Sequence, residues 1–271
     1  MSVSAIVARL RAAGCVFAED EARLLVAGAA TSADLSAMVD RRVTGEPLEY
    51  ILGWAEFCGL RIAVDAGVFV PRRRTEFLVR QALDRLGDNS VVVDLCCGSG
   101  AVGAALAAAL PGIELYAVDI DPAAVVCARR NLPARVYEGD LYEPLPVTLA
   151  GRVDVLVANL PYVPTAAIGT MPPEARLHEP QVALDGGADG LDVLRRVAAA
   201  APTWMAPGGH LLVETSEHQA PAAIEVFAAQ GLAARVATSE EWGATVVIGT
   251  RRPSNQHPGL ASPAPTGPTR P

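Results

Sequence analysis

The chain has 271 residues, 51% of them hydrophobic and 19% charged, with a formal charge of −8. These totals exclude a disordered chain and leave no global basic field to attract nucleic acid or anionic membrane. No Lys occurs and the 22 basic side chains are all Arg, so Schiff-base chemistry, a Walker-type phosphate Lys and a lysine base are excluded.

Residues 1–58 read as a small helical domain. Leu24, Leu25, Leu35, Met38 and Val39 fall near helical periods, and Thr31-Ser32 suits a cap. GLRIAVDAGVFVP (59–71) alternates around Asp65-Ala66-Gly67 and predicts a β-hairpin linker over residues 59–74. From residues 75 to 252 strands alternate with helices. VVVDL, ELYAVDI, ARVYEGD, VDVLVAN and GGHLLVET are the strands of a parallel sheet, and LAARVAT with TVVIGTR closes it as an antiparallel pair. The pattern predicts an α/β fold, a doubly wound, seven-stranded Rossmann-like sheet with a small N-terminal helical domain. Residues 253–271 are rich in Pro, Ser and Gly and predict a disordered tail.

The N-terminus lacks a long apolar stretch, and the uncharged run 95–113 holds four Gly, a Ser and a Pro, so a loop plus a core helix is expected there and no membrane span. The five cysteines form no C-x-x-C pair, which suits a reducing cytoplasm. Cys96 and Cys97 are expected to pack and not to act as redox sensors. The four His lack ligand spacing, so no metal is expected.

VVVDLCCGSGAVG contains Gly98, Gly100 and Gly103 as a literal G-x-G-x-x-G, with Asp119 at the end of the next strand. Small residues let a nucleoside ligand approach the backbone, and a helix N-terminus faces its anionic group. Two details favour S-adenosylmethionine over NAD. Asp94 ends the strand ahead of the glycines, where it would repel a pyrophosphate but attract an ammonium. Asp140, after the third strand, suits an adenine amino group, with Leu141 against the ring.

Asn159-Leu160-Pro161-Tyr162 follows the fourth strand, at the carboxyl edge where open α/β sheets bind ligands. An amide or exocyclic-amine nitrogen is a poor nucleophile because its lone pair is delocalised. Two acceptors on one side, the Asn159 side-chain oxygen and the Leu160 carbonyl stiffened by Pro161, would hold its two N–H groups and turn the lone pair toward a methyl donor. Tyr162 offers a ring face to a planar group.

These residues resemble the HemK-like (PrmC-type) protein-(glutamine-N5) methyltransferases, which modify the glutamine of the Gly-Gly-Gln motif in peptide-chain release factors. GEPLEYILGWAEF (45–57), VPRRRTEFLV (70–79) and RLHEPQVALDGGADGLDVLRRV (176–197) are similar to further segments of that family. The likeness covers about residues 40–251. It implies a substrate amide held by Asn159 through Tyr162, and a cofactor site lined by Asp94, Cys96, Cys97, Gly98, Ser99, Gly100, Asp119, Asp140, Leu141 and Asn159. It also implies a protein partner recognised by the helical domain, with a monomer expected. The chain departs from the family pattern where Leu160 replaces the first Pro of N-P-P-Y and Cys96 replaces the first loop Gly, and these departures concern the substrate more than the reaction.

Arg72 lies where the family's loop approaches the cofactor, while Arg73 and Arg74 read as solvated surface. Glu179-Pro180 is expected to shape the pocket wall. Two other readings stay open. One is an adenine-N6 or cytosine-N4 nucleic-acid methyltransferase, against which the acidic balance stands. The other is a non-catalytic S-adenosylmethionine-binding module.

Overall fold

The structure is a computed structural model that describes residues 1–132 and 134–253, so most of the expected tail lies outside the described residues. The chain opens with α1 (Val3–Ala12), α2 (Ala18–Gly28), α3 (Ser32–Val43) and the short α4 (Leu48–Leu52). Thr31 caps α3, its hydroxyl accepting from the Asp34 amide at 3.1 Å. Ile6, Leu10, Ala22, Leu25, Met38, Val39 and Ile51 meet in a separate small core. Arg42 is buried beside it, its Nε donating to Glu21 Oε2 at 2.6 Å.

The hairpin falls earlier than the sequence pattern suggests. β1 (Trp54–Phe57) pairs antiparallel with β2 (Leu60–Ala63), Trp54 opposite Ala63. The turn is Cys58-Gly59, both residues left-handed, with φ of 49° and 73°. Two consecutive positive φ values match the twist of a two-residue hairpin, but a non-Gly first residue conceals the signal. Asp65-Ala66-Gly67 is instead a turn beyond β2, closed by the Val68 amide donating to the Asp65 carbonyl at 3.1 Å. The helices therefore end at Leu52, and the strand pair begins at Trp54 inside the segment read as helical.

The remainder alternates as the sequence implies. It runs α5 (Glu76–Leu83), β3 (Val91–Leu95), α6 (Ala101–Ala109), β4 (Glu114–Asp119), α7 (Pro122–Asn131), β5 (Arg135–Glu138) and β6 (Val153–Ala158). Then follow α8 (Pro173–His178), α9 (Asp192–Trp204), β7 (Met205–Thr215), α10 (Ala220–Ala229), β8 (Leu232–Ser239) and β9 (Ala244–Arg251). The seven-stranded sheet has the order β5-β4-β3-β6-β7-β9-β8, with β9 running opposite to the other six strands.

Helices cover both faces, so the central strands are apolar on both sides. On one face Val92, Ala117, Val155, Val157 and Leu212 pack against Phe77, Leu78, Leu106 and Val125. On the other, Val93, Leu95, Val118, Leu156 and Leu211 pack against Leu194, Val197, Ala201 and Phe227. The strand order reverses between β3 and β6, and Leu95 lies opposite Ala158 in that pairing. The carboxyl ends of β3, β4 and β6 thus open onto one crevice. Among the described residues no helix is long and apolar enough to cross a membrane.

Arg42 also joins the helical region to the α/β part, its Nη1 lying 3.0 Å from Glu174 Oε2 on α8. Its pair with Glu21 leaves the two side chains only 9% and 12% exposed. Removing one partner of such a pair strands the other charge. Arg42→Ala is expected to lower unfolding stability by about 3 kcal/mol, read as a lower urea midpoint; an unchanged midpoint would mean that the pair carries no stability.

Candidate active site

The crevice holds a cavity of about 460 Å³, within the roughly 300–1,000 Å³ common for small-molecule sites. One half is built by the loop between β3 and α6. Cys96, Gly98 and Gly100 all adopt left-handed backbone, with φ of 55°, 54° and 77°. At Gly100 a Cβ would come within 2.8 Å of the Leu132 side chain, so the turn into α6 needs glycine twice over. Asp94 is almost wholly buried, and its Oδ2 accepts from the Gly103 amide at 3.0 Å. Asp119 Oδ2 accepts from the Gly98 amide at 2.7 Å and its Oδ1 from the Asp121 amide at 2.9 Å.

Burial pushes the Asp94 carboxyl up to about 7, against the lowering effect of the Gly103 hydrogen bond, with Asp119 adding to the rise. Burial also raises Asp119. Among the described residues no basic side chain pairs with either acid. A buried and a half-buried carboxylate without a cation repel a diphosphate and suit a ligand that brings positive charge. S-adenosylmethionine brings an ammonium and a sulfonium, and the residues present fit it.

The other half is apolar and lies beyond β6. Its wall includes Phe69, Pro71, Leu160, Met171, Ala175 and Leu184. Asn159 Nδ2 donates to Thr75 Oγ1 at 3.5 Å, a long contact from a Thr that is 2% exposed. Among the described residues nothing donates to Asn159 Oδ1 or to the Leu160 carbonyl. Two oxygens on adjacent residues of the cavity wall are therefore unclaimed acceptors.

The segment after α8 fixes this loop. Val163 N donates to the Leu184 carbonyl at 3.0 Å, and Gly186 N to the Val163 carbonyl at 2.9 Å. Gln219 Nε2 donates to the Tyr162 carbonyl at 2.9 Å. A Cβ at Gly186 would stand 2.7 Å from the Pro161 carbonyl oxygen, and one at Gly190 2.2 Å from that of Tyr162. The paired glycines of ALDGGADGLD permit an approach that no other residue allows.

The cavity wall brings together Asp94, Cys96, Cys97, Gly98, Ser99, Asp119, Asn159, Leu160, Pro161 and Tyr162. Gly100, Asp140 and Leu141 do not line it. Asp140 Oδ2 instead takes Arg196 Nη2 of α9 at 2.5 Å, and Leu141 is buried in the core on that face. The cause is an ion pair 56 residues apart in sequence, which spacing cannot reveal. Burial raises the Cys96 and Cys97 thiols, so neither is a ready thiolate.

Arg74 is exposed as expected but is also paired, a role the expectation of plain solvated surface left out: its Nε donates to buried Glu214 Oε1 at 3.0 Å and its Nη2 to the Tyr162 hydroxyl at 2.5 Å. Arg72 Nη2 donates to both oxygens of Glu179 at 2.6 Å. Glu179 also accepts from the Val70 amide at 3.2 Å. Glu214 carried a readable signal, since it ends the apolar run LLVE as Asp94 ends VVVD. Thr75 lies in VPRRRTEFLV, one of the segments similar to the family's, though nothing there marks its contact with Asn159, and Gln219 carried no signal.

The fold and the paired acids at its carboxyl edge define a class I, S-adenosylmethionine-dependent methyltransferase. The family model Methyltransferase small domain matches residues 59–175. The release factor glutamine methyltransferase of Geobacter sulfurreducens is 42% identical over 219 residues, covering 79% of this chain and 76% of its own. The 4-amino-L-phenylalanine/4-methylamino-L-phenylalanine methyltransferase of Streptomyces pristinaespiralis is 38% identical, with 71% of this chain and 69% of its own covered. A methyltransferase structure from Pyrococcus furiosus aligns over 72% of this chain and 90% of its own with a TM-score of 0.54 at 16% identity, a likeness of fold. This chain belongs to the release factor glutamine methyltransferase family.

A ligand ammonium beside Asp94 needs the ionised carboxylate. That form is depleted below the raised value near 7, so affinity for S-adenosylhomocysteine is expected to fall about tenfold per pH unit from 7 downward. Asp94→Asn should bind weakly with a flat profile in calorimetric titration. A wild-type affinity constant from pH 8 to 5.5 would sink this reading.

Proposed function

We infer that this chain transfers a methyl group from S-adenosylmethionine to the side-chain amide nitrogen of a protein glutamine, the Gly-Gly-Gln residue of a peptide chain release factor. The observation that carries the reading is the pair of unclaimed acceptors, Asn159 Oδ1 and the Leu160 carbonyl, on the wall of a cavity whose other half holds the acids Asp94 and Asp119. The family relation supports the substrate.

When bound, S-adenosylmethionine supplies an electrophilic sulfonium methyl. Asp94 and Asp119 would hold its cationic and ribose portions, with Cys96 through Ser99 beside it. Asn159 Oδ1 and the Leu160 carbonyl accept the two amide N–H groups and so fix the plane of the nitrogen. Pro161 limits the loop's freedom, and Tyr162 gives the flat amide a ring to lie against. No residue is needed as a base before transfer, because the methylated nitrogen loses its proton readily. The work of the site is orientation and exclusion of water. The long contact to Thr75 engages Nδ2 of Asn159 and leaves its oxygen for the substrate. The reading has the enzyme act as a monomer in the cytoplasm, where its substrate is found.

One observation favours a second reading. Leu160 stands where the family pattern has Pro, and the Streptomyces pristinaespiralis relative acts, by name, on an arylamine amino acid. The same two acceptors would take an arylamine.

Labelled S-adenosylmethionine separates the two readings. Label is expected on a release factor carrying Gly-Gly-Gln, absent from its Gly-Gly-Asn version, and reduced roughly 100-fold in kcat by Asn159→Ala, the scale for losing one positioned hydrogen-bonding group. Equal label on the Asn version would refute glutamine specificity. Label on 4-aminophenylalanine alone would establish the second reading.

A further inference from the structure

We propose that Arg74 is a positioning residue that locks the Tyr162 ring in place by bridging its hydroxyl to Glu214 at the end of β7; the proposal rests on the role given to Tyr162 above. Three elements distant in sequence meet at this point. Arg74 comes from the turn before α5, Tyr162 from the loop after β6, and Glu214 from the last turnless residues of β7. Arg74 Nε lies 3.0 Å from Glu214 Oε1 and Nη2 2.5 Å from the Tyr162 hydroxyl, while that hydroxyl stands 3.5 Å from the same Glu214 oxygen. The guanidinium carbon is 5.9 Å from the Tyr162 ring centroid, within reach of a cation–π contact.

The anchor is the buried member. The Glu214 side chain is 2% exposed against 46% for Arg74, and its Oε2 has no hydrogen-bond partner among the described residues. A buried carboxylate with one oxygen unmatched depends on Arg74 for charge compensation. That dependence holds Arg74 in one rotamer, although nearly half of its side chain meets solvent. Arg74 in turn has a donor left for Tyr162, and the planar fork of the guanidinium serves both acceptors at once.

The arrangement divides two tasks. The backbone of the loop is fixed elsewhere, by Gln219 on the Tyr162 carbonyl and by the close approach of Gly186 and Gly190. None of those contacts restrains rotation of the Tyr162 ring. Arg74 reaches the ring itself, through the shorter of the two hydroxyl contacts and through its place over the ring. Loss of Arg74 is therefore expected to free the ring while the loop, and the cofactor half around Asp94 and Asp119, stay in place.

The test combines a spectroscopic and a kinetic readout. In the full chain with 13C-labelled tyrosine, the Tyr162 ring signal is assigned by its loss in Tyr162→Phe. Arg74→Ala is expected to move that signal and speed ring flipping, with S-adenosylhomocysteine affinity changed less than twofold. Arg74→Lys, which keeps the charge and one donor, should fold where the Ala variant does not and give an intermediate shift. On a Gly-Gly-Gln release factor, Arg74→Ala should lower kcat/KM between 10- and 100-fold. Adding Tyr162→Phe should then cost less than twofold more, since the two residues act as one unit. A ring signal unmoved in both Arg74 variants overturns the proposal, as does a double variant whose losses multiply. A moved ring signal in an enzyme that leaves the release factor unlabelled supports the clamp and refutes the substrate reading instead.

Discussion

The approach of two backbones, Gly186–Gly190 against Pro161–Tyr162, is the constraint on which the rest of the site depends. Carbonyl oxygens of the loop after β6 stand where side chains of the second segment would be, and glycine is the only residue that leaves the space. Because the second segment sits this close, it can exchange hydrogen bonds with Val163 and let Gln219 reach the Tyr162 carbonyl. With the outer side of the loop satisfied in this way, the inner side can keep the Leu160 carbonyl free. The glycines thus act on chemistry they do not touch.

The two halves of the cavity follow opposite electrostatic logics. Around β3 and β4 the chain gathers carboxylates and withholds cations among the described residues, so that burial first and neighbouring acids second lift Asp94 and Asp119. A cationic ligand relieves that tension, and its charge adds selectivity against diphosphate nucleotides. Beyond β6 the acids are matched within the protein, Glu179 by Arg72 and Glu214 by Arg74. There the ligand need contribute no charge, which suits an amide. The all-Arg composition fits this second half, since a guanidinium can serve a carboxylate and a neighbouring hydroxyl together.

The sheet was legible because a parallel strand covered on both faces must be apolar throughout, and VVVDL and VDVLVA meet that demand without competing patterns. Asn159 and Asp94 stood out by the same logic, as polar residues ending runs that otherwise exclude them. Glu214 obeyed the identical rule but went unused, because no motif accompanied it. Arg74 could not be assigned from the sequence, as its partners lie 88 and 140 residues away. The Asp140–Arg196 pair is hidden in the sequence for a related reason, since composition alone cannot orient the helix that carries Arg196. The hairpin was shifted because Cys58 occupies a left-handed position that Asn, Asp or Gly would normally mark. What failed to show in the sequence was pairing at a distance and one unusual turn residue, while periodicity and strand-end polarity showed clearly.

Arg42 touches Glu21 in the helical region and Glu174 on α8, and Glu174 is itself part of the cavity wall. One guanidinium therefore spans from the interior of the N-terminal helices to the rim of the cleft. The interior of the N-terminal helices and the rim of the cleft thus share one buried charge, so that removing it takes the counter-ion from an acid in each region at once.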